Sequence, residues 1–255
     1  RRRALCRYIN SKLAGRSLVV GDLYEDLKSG VLLYHFLEVL TGENLKQYGK
    51  LNSGKMRIQH VANMNVVFKF FPDADIKLEN IGVMDIVDGN PTSVLGLIWS
   101  IIAFYLVKQL GDGGDGDNLA GIKQKILRWC KARASPKVPV TNLTDSFADG
   151  RAFLAILNKT DNAGSPYVPE ADPCANFRTA FADAEAKYGV PQMLTPDDPD
   201  LYTDEISMLT YLSEMMAKLP DNVAQPVRPP PYPRSPPVSA LAAQTHALYL
   251  SSRRK

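Results

Sequence analysis

The sequence has little of what active sites most often use: three cysteines, three histidines and two tryptophans in 255 residues. Cys6, Cys130 and Cys174 share no metal-ligand spacing and leave one thiol over, so neither a zinc site nor a disulfide framework is expected. A reducing, cytoplasmic compartment is the simplest setting for them. His35 and His60 lie in helical patterns without an evident Ser, Cys or carboxylate partner, and His246 falls near the end of the chain. No Gly-rich loop followed by Lys-Ser/Thr is present to cradle a phosphate. No catalytic residue, metal or cofactor is therefore expected. No secretory signal is visible. The chain opens without Met inside a helical pattern, and it reads as a piece of a longer protein. The longest apolar run, starting at Val94, is interrupted by Ser100 and Lys108, short of the ~20 residues needed to cross a bilayer.

What is present is enough apolar material for real cores, 45% of residues, in a chain long enough for two ordinary domains. Net charge is +3 but uneven: +4 over residues 1–110, −3 over 111–118, −2 over 119–220 and +4 over 221–255. The first part and the tail thus suit an acidic partner or an anionic surface.

Helical periodicity organises the first part. Leu5, Tyr8, Ile9 and Leu13 make one face of a first helix, with Arg7 and Lys12 outside that stripe. Asp22 is placed to cap a turn, and Leu23 to Leu40 reads as one amphipathic helix running through Lys28-Ser29-Gly30 and stopped by Gly42. A third helix begins near Lys55-Met56-Arg57 and is expected to break at Pro72. Asp88-Gly89-Asn90-Pro91 is a polar turn with a cap and an N1 proline, and it opens a helix apolar on nearly all sides from Val94 to Leu110. Such a helix belongs in the middle of a domain.

Residues 111–118, Gly-Asp-Gly-Gly-Asp-Gly-Asp-Asn, read as a linker. Its aspartates do not make a calcium loop, because Leu119, Ala120 and Ile126 occupy positions where an EF-hand needs a ligand, a Gly and a Glu. The pattern then restarts. Trp129 sits in Leu127-Arg128-Trp129-Cys130 much as Tyr8 sits in its helix, and Leu143 to Leu154 repeats Leu23 to Tyr34 at an offset of 120, with Gly150 matching Gly30. This is duplication at domain scale. After Pro220 the chain becomes Pro-rich, and Pro229-Pro230-Pro231-Tyr232 fits the Pro-Pro-x-Tyr pattern that WW domains read. A semi-rigid spacer is the simpler reading of the same stretch.

Asp85-Ile86-Val87-Asp88-Gly89-Asn90 followed by Leu95-Gly96-Leu97-Ile98-Trp99 closely resembles the last core helix of a calponin-homology (CH) module, specifically the first of the paired modules in the spectrin, α-actinin and filamin family. Gly54-Lys55-Met56-Arg57 has its counterpart there too, while Ser29 replaces the usual Asp. The second copy resembles the second module, nearest to the filamin version, through Asp149-Gly150-Arg151-Ala152, Gly189 to Pro196 and Leu209-Thr210-Tyr211; Phe147 stands where Trp is usual.

The resemblance implies an all-α fold: a first CH module over 1–110, the linker, a second module over 119–220, and the basic, Pro-rich tail over 221–255. It also implies binding to actin filaments in the cytoplasmic cytoskeleton, not enzymatic activity or nucleic-acid binding. The carried-over contact residues are Arg7, Tyr8 and Lys12 of the first helix, Lys55 and Arg57, then Trp99 and Lys108 of the last helix. For Tyr8 and Trp99 a place in the core or on the interdomain face competes strongly with filament contact. Lys123, Lys125, Arg128 and Lys131 offer either a further contact or a solvated face. Trp99 is expected to face the second module where Ile206 replaces the family's base. A scaffold or lipid-surface role, with phosphoinositides and a WW-type domain as partners of the basic ends and the tail residues Pro229, Pro230 and Tyr232, is the alternative.

Overall fold

The computed structural model describes residues 1–111, 118–134, 138–161, 172–197 and 200–220. The central part of the expected linker and the tail with Pro229, Pro230 and Tyr232 lie outside them. The described residues form α-helices and short 3₁₀ turns, with no strand among them. The first half holds α1 (Arg2–Leu13), α2 (Leu23–Asp26), α3 (Val31–Thr41), α4 (Arg57–Asp73), α5 (Val83–Val87) and α6 (Pro91–Leu110). The second holds α7 (Leu119–Arg133), α8 (Arg151–Asp161), α9 (Pro173–Tyr188), α10 (Asp200–Thr203) and α11 (Glu205–Lys218).

The apolar stripe of α1 is buried as its spacing requires: Ala4, Leu5, Tyr8, Ile9 and Leu13 all face the core. Asp22 starts α2 by accepting hydrogen bonds from the backbone N–H groups of Tyr24 (2.8 Å) and Glu25 (3.2 Å). The single helix expected from Leu23 to Leu40 is instead two. Gly30 takes a left-handed φ of +75°, and a Cβ there would lie 3.1 Å from both Asn63 Cβ and Met64 N. The turn has to be glycine because α4 lies against it. Asn63, fully buried, donates to the carbonyls of Ser29 and Asn52 (3.0 Å each) and fastens α4 to the turn.

The same device recurs 120 residues on. Gly150 has φ +76°, a Cβ there would come within 2.6 Å of Asn176 Cβ, and Asn176 donates to the Asp149 carbonyl at 2.9 Å. Ser29 in place of Asp costs little, since its backbone carbonyl makes the bond to Asn63 and its Oγ still accepts from Val31 N–H (3.4 Å), as Asp149 Oδ1 does from Arg151 N–H (3.0 Å). α3 and α8, which follow these turns, are both 11 residues long.

Pro72 does not end α4 where expected; the helix continues to Asp73. In the last turn the missing N–H forfeits only one intrahelical bond. α6 begins as its sequence dictates, with Asn90 Oδ1 accepting from Thr92 N–H (3.0 Å) and Ser93 N–H (3.2 Å) and Pro91 in the first turn. At 20 residues with a mean hydropathy of 1.7, α6 is long and apolar enough to span a bilayer, so length does not exclude that role. Its surroundings argue for a core helix: Val94, Leu97, Ile98, Ile101, Ile102 and Leu106 are buried among the other helices.

Residues 1–220 form one compact unit whose buried cluster runs from Ala4 to Leu219. The second half is centred on Phe153, whose ring meets those of Phe147 (4.8 Å), Phe181 (5.3 Å), Tyr211 (5.7 Å) and Phe177 (6.2 Å). The two halves meet where α6 packs on α7 and where α1 and α6 approach α11. Lys125 of α7 donates to the carbonyl of Leu110 at 2.6 Å, a cation placed at the part-buried C-terminal end of α6.

Candidate functional site

The candidate contact residues fall into two groups, one turned inward and one outward. Tyr8 is wholly buried, edge-on to Phe36 at 6.2 Å, and its hydroxyl has no hydrogen-bond partner among the described residues. Burial pushes its phenol well above the ordinary value, and the charge of Glu214 adds to the shift. Lys12, one turn on, points across the seam: its amine lies 2.5 Å from Glu214 Oε1, with side-chain exposures of 19% and 5%. The same amine sits 5.1 Å from the centre of the Tyr8 ring and 5.9 Å from that of Tyr105. At the other end of α1, Arg1 binds Asp204 at the start of α11 (2.5 and 2.8 Å). Burial raises the Asp204 carboxyl, but hydrogen bonds from Arg1 and Ser207 outweigh it and hold the group below its usual range. Arg1–Asp204 and Lys12–Glu214 thus join α1 to α11 at both ends.

Trp99 and Ile206 are both half-buried and packed against the core. Among the described residues no cation stands over the Trp99 ring; the cation–π contacts of α1 and α6 go to other rings, as with Lys108, exposed, 5.8 Å from Phe104.

The outward group lies at the start of α4. Lys55 and Arg57 are exposed. The Arg57 guanidinium holds Asp88 bidentately, at 2.8 and 2.9 Å, which ties α4 to the end of α5. Between and beside these cations stand Met56 and Ile58, 63% and 74% exposed, with Met84 of α5 at 46%. These three apolar residues are absent from the motif-based list. Ile58 carried a readable signal: with Ala62, Asn65 and Lys69 at helical spacing it forms the solvent face of α4, opposite the buried Met64, Val67 and Phe71. A strip of exposed large apolar side chains interleaved with cations is what a docking surface needs, an apolar centre within a charged rim. Arg7 is half-buried on α1.

Two further chemistry-bearing residues, His35 and Cys130, are held within the fold. His35 Nδ1 sits 2.8 Å from Arg16 and 3.2 Å from Glu38. Cys130 is buried, and burial raises its thiol well above the reactive range. No cluster of His, Cys, Asp and Glu able to hold a metal occurs among the described residues.

Comparison with known proteins agrees with this architecture. The family model described as the calponin homology (CH) domain matches residues 1–106 and again 121–221. The erythrocytic spectrin beta chain of Mus musculus is 36% identical over 219 residues, 83% of this chain and 10% of its own. The alpha-actinin-like protein 1 of Schizosaccharomyces pombe is 32% identical over 220 residues, 83% of this chain and 34% of its own. Among solved structures, the actin-crosslinking core of S. pombe fimbrin superposes with a TM-score of 0.64 at 20% identity, over 84% of this chain and 47% of that one. The chain therefore spans only a tenth to a third of these two curated relatives. Two matched domains, each with its own copy of the Gly–Asn turn, place the chain in the calponin homology family as a tandem pair of CH domains.

Proposed function

We propose that the chain binds actin filaments, as the filament-docking part of a cross-linking or cytoskeletal anchoring protein, and that the main contact lies on the first CH domain. The observation that carries this is the strip Lys55-Met56-Arg57-Ile58 at the entry to α4, where two exposed cations alternate with two large exposed apolar side chains. Such a strip supplies both the apolar burial and the positive rim that an acidic filament surface would complement. Kinship supports the partner: the fimbrin relative is described as an actin-crosslinking core. Lys108 on α6 is a further exposed cation and Arg7 on α1 a half-buried one, whereas Lys12 reaches a filament only when it leaves Glu214. The reading is of an interaction module rather than an enzyme, working in the cytoplasm. The wording of Gly189 to Pro196 supports a filamin-like second domain.

The test is co-sedimentation of the full chain with actin filaments, beside microtubules and phosphoinositide vesicles as parallel arms. The chain should pellet with actin, and less so as salt rises past physiological ionic strength, where the Debye length is ~8 Å. Pelleting with vesicles or microtubules but not with actin overturns the proposal.

A further inference from the structure

The seven methionines of the chain are sharply divided by exposure. Met64, Met193, Met208 and Met215 are buried and Met216 is half-buried, whereas Met56 and Met84 are 63% and 46% exposed. Both exposed thioethers lie on the first domain and flank one feature. Met56 immediately precedes α4 beside Arg57, Arg57 grips Asp88, and the Asp88 N–H bonds back to the Met84 carbonyl one turn earlier on α5. A flexible, polarizable thioether suits an adaptable docking contact, and the same exposure leaves its sulfur open to solvent oxidants.

We propose that Met56 and Met84 form an oxidation-sensitive site through which a peroxide weakens filament docking without unfolding the chain. The proposal rests on the docking surface described above. In the reaction a sulfur lone pair attacks one peroxide oxygen, the S–O bond forms as the O–O bond breaks, and hydrogen peroxide leaves as water. The sulfur is oxidised by two electrons and the peroxide is reduced by two. The product sulfoxide turns an apolar side chain into a polar one, and a reductase of methionine sulfoxide can reverse the change. At a contact that excludes water, each new S=O oxygen loses its hydration without a prepared donor, which opposes binding. The fold tolerates the change because both side chains already face solvent, while the four buried methionines are shielded within the core.

The full chain is treated with hydrogen peroxide, the oxidant is removed with catalase, and only then are untreated actin filaments added. Peptide mass mapping should show one added oxygen on Met56 and Met84 before any on the buried methionines. Filament affinity should fall about tenfold, equivalent to ~1.4 kcal/mol, with the melting temperature unchanged, and sulfoxide reductase should restore it. In the double variant M56L/M84L the ratio of affinities before and after peroxide should be close to one, whatever affinity it starts from. Full oxidation of both methionines with unchanged binding overturns this proposal alone, as does an equal loss in the double variant. Failure of the untreated chain to bind filaments overturns the docking surface together with this proposal.

Discussion

Replacing Glu214 by Gln removes one charge of the ion pair across the seam and leaves its shape. The pair is short, 2.5 Å, and its acidic member is only 5% exposed. Stranding one charge of a fully buried pair costs ~3–5 kcal/mol. Lys12 is not fully stranded: at 19% exposure its amine can swing toward water along its aliphatic stem, and the Tyr8 and Tyr105 rings still attract it. The expected cost is therefore ~1–3 kcal/mol, and for a unit of this size the melting temperature should fall by ~2–10 °C. A distance probe spanning the two domains should report a wider or broader separation. Filament affinity should rise, because Lys12 is released. The double variant with Lys12→Met and Glu214→Leu should recover most of the loss, since an apolar pair of similar volume needs no charge compensation. A Glu214→Gln variant with unchanged melting temperature and unchanged separation would refute the reasoning, leaving α1 and α11 held by apolar contact and the Arg1–Asp204 pair.

Other expectations follow from single side chains. Tyr8→Phe removes a buried hydroxyl that has no partner among the described residues, so it should be neutral or stabilising by up to ~1 kcal/mol; a loss of similar size in thermal unfolding would show that the hydroxyl is bonded. Lys55→Glu and Ile58→Asp, both exposed, should each weaken filament co-sedimentation while changing stability by less than ~0.5 kcal/mol. Arg57→Glu should cost more stability than Lys55→Glu, because it also repels Asp88. Asp204 is held below its ordinary value of 3.8, so its contribution is complete above that pH and is lost as pH falls through the folded value. Melting temperature should drop in that acid window, and by less in Asp204→Asn; equal acid sensitivity in the variant would assign the loss to other carboxylates.

Local chemistry was legible in the sequence and close approach was not. The start of α6 could be read because Asn90 and Pro91 act on their own backbone. The break at Gly30 escaped, because it depends on α4 arriving within van der Waals distance of a residue 33 positions earlier in the chain than Asn63. Duplication was visible as the repeated Gly, but its physical meaning, an Asn amide closing the turn from another helix, required both helices in place. Among the candidate contacts, periodicity put Lys12 off the apolar stripe of α1, which is where it lies; that a glutamate of the second domain covers it has no local signal. The outward strip was half legible, through its cations, and its apolar half follows from the exposed face of α4.

The most direct measurement is a cryo-electron microscopy map of actin filaments decorated with the full chain. The start of α4, with Lys55, Met56, Arg57 and Ile58, is predicted to lie in the contact with the filament. Decoration in which this strip faces solvent and the second domain carries the contact would contradict the assignment.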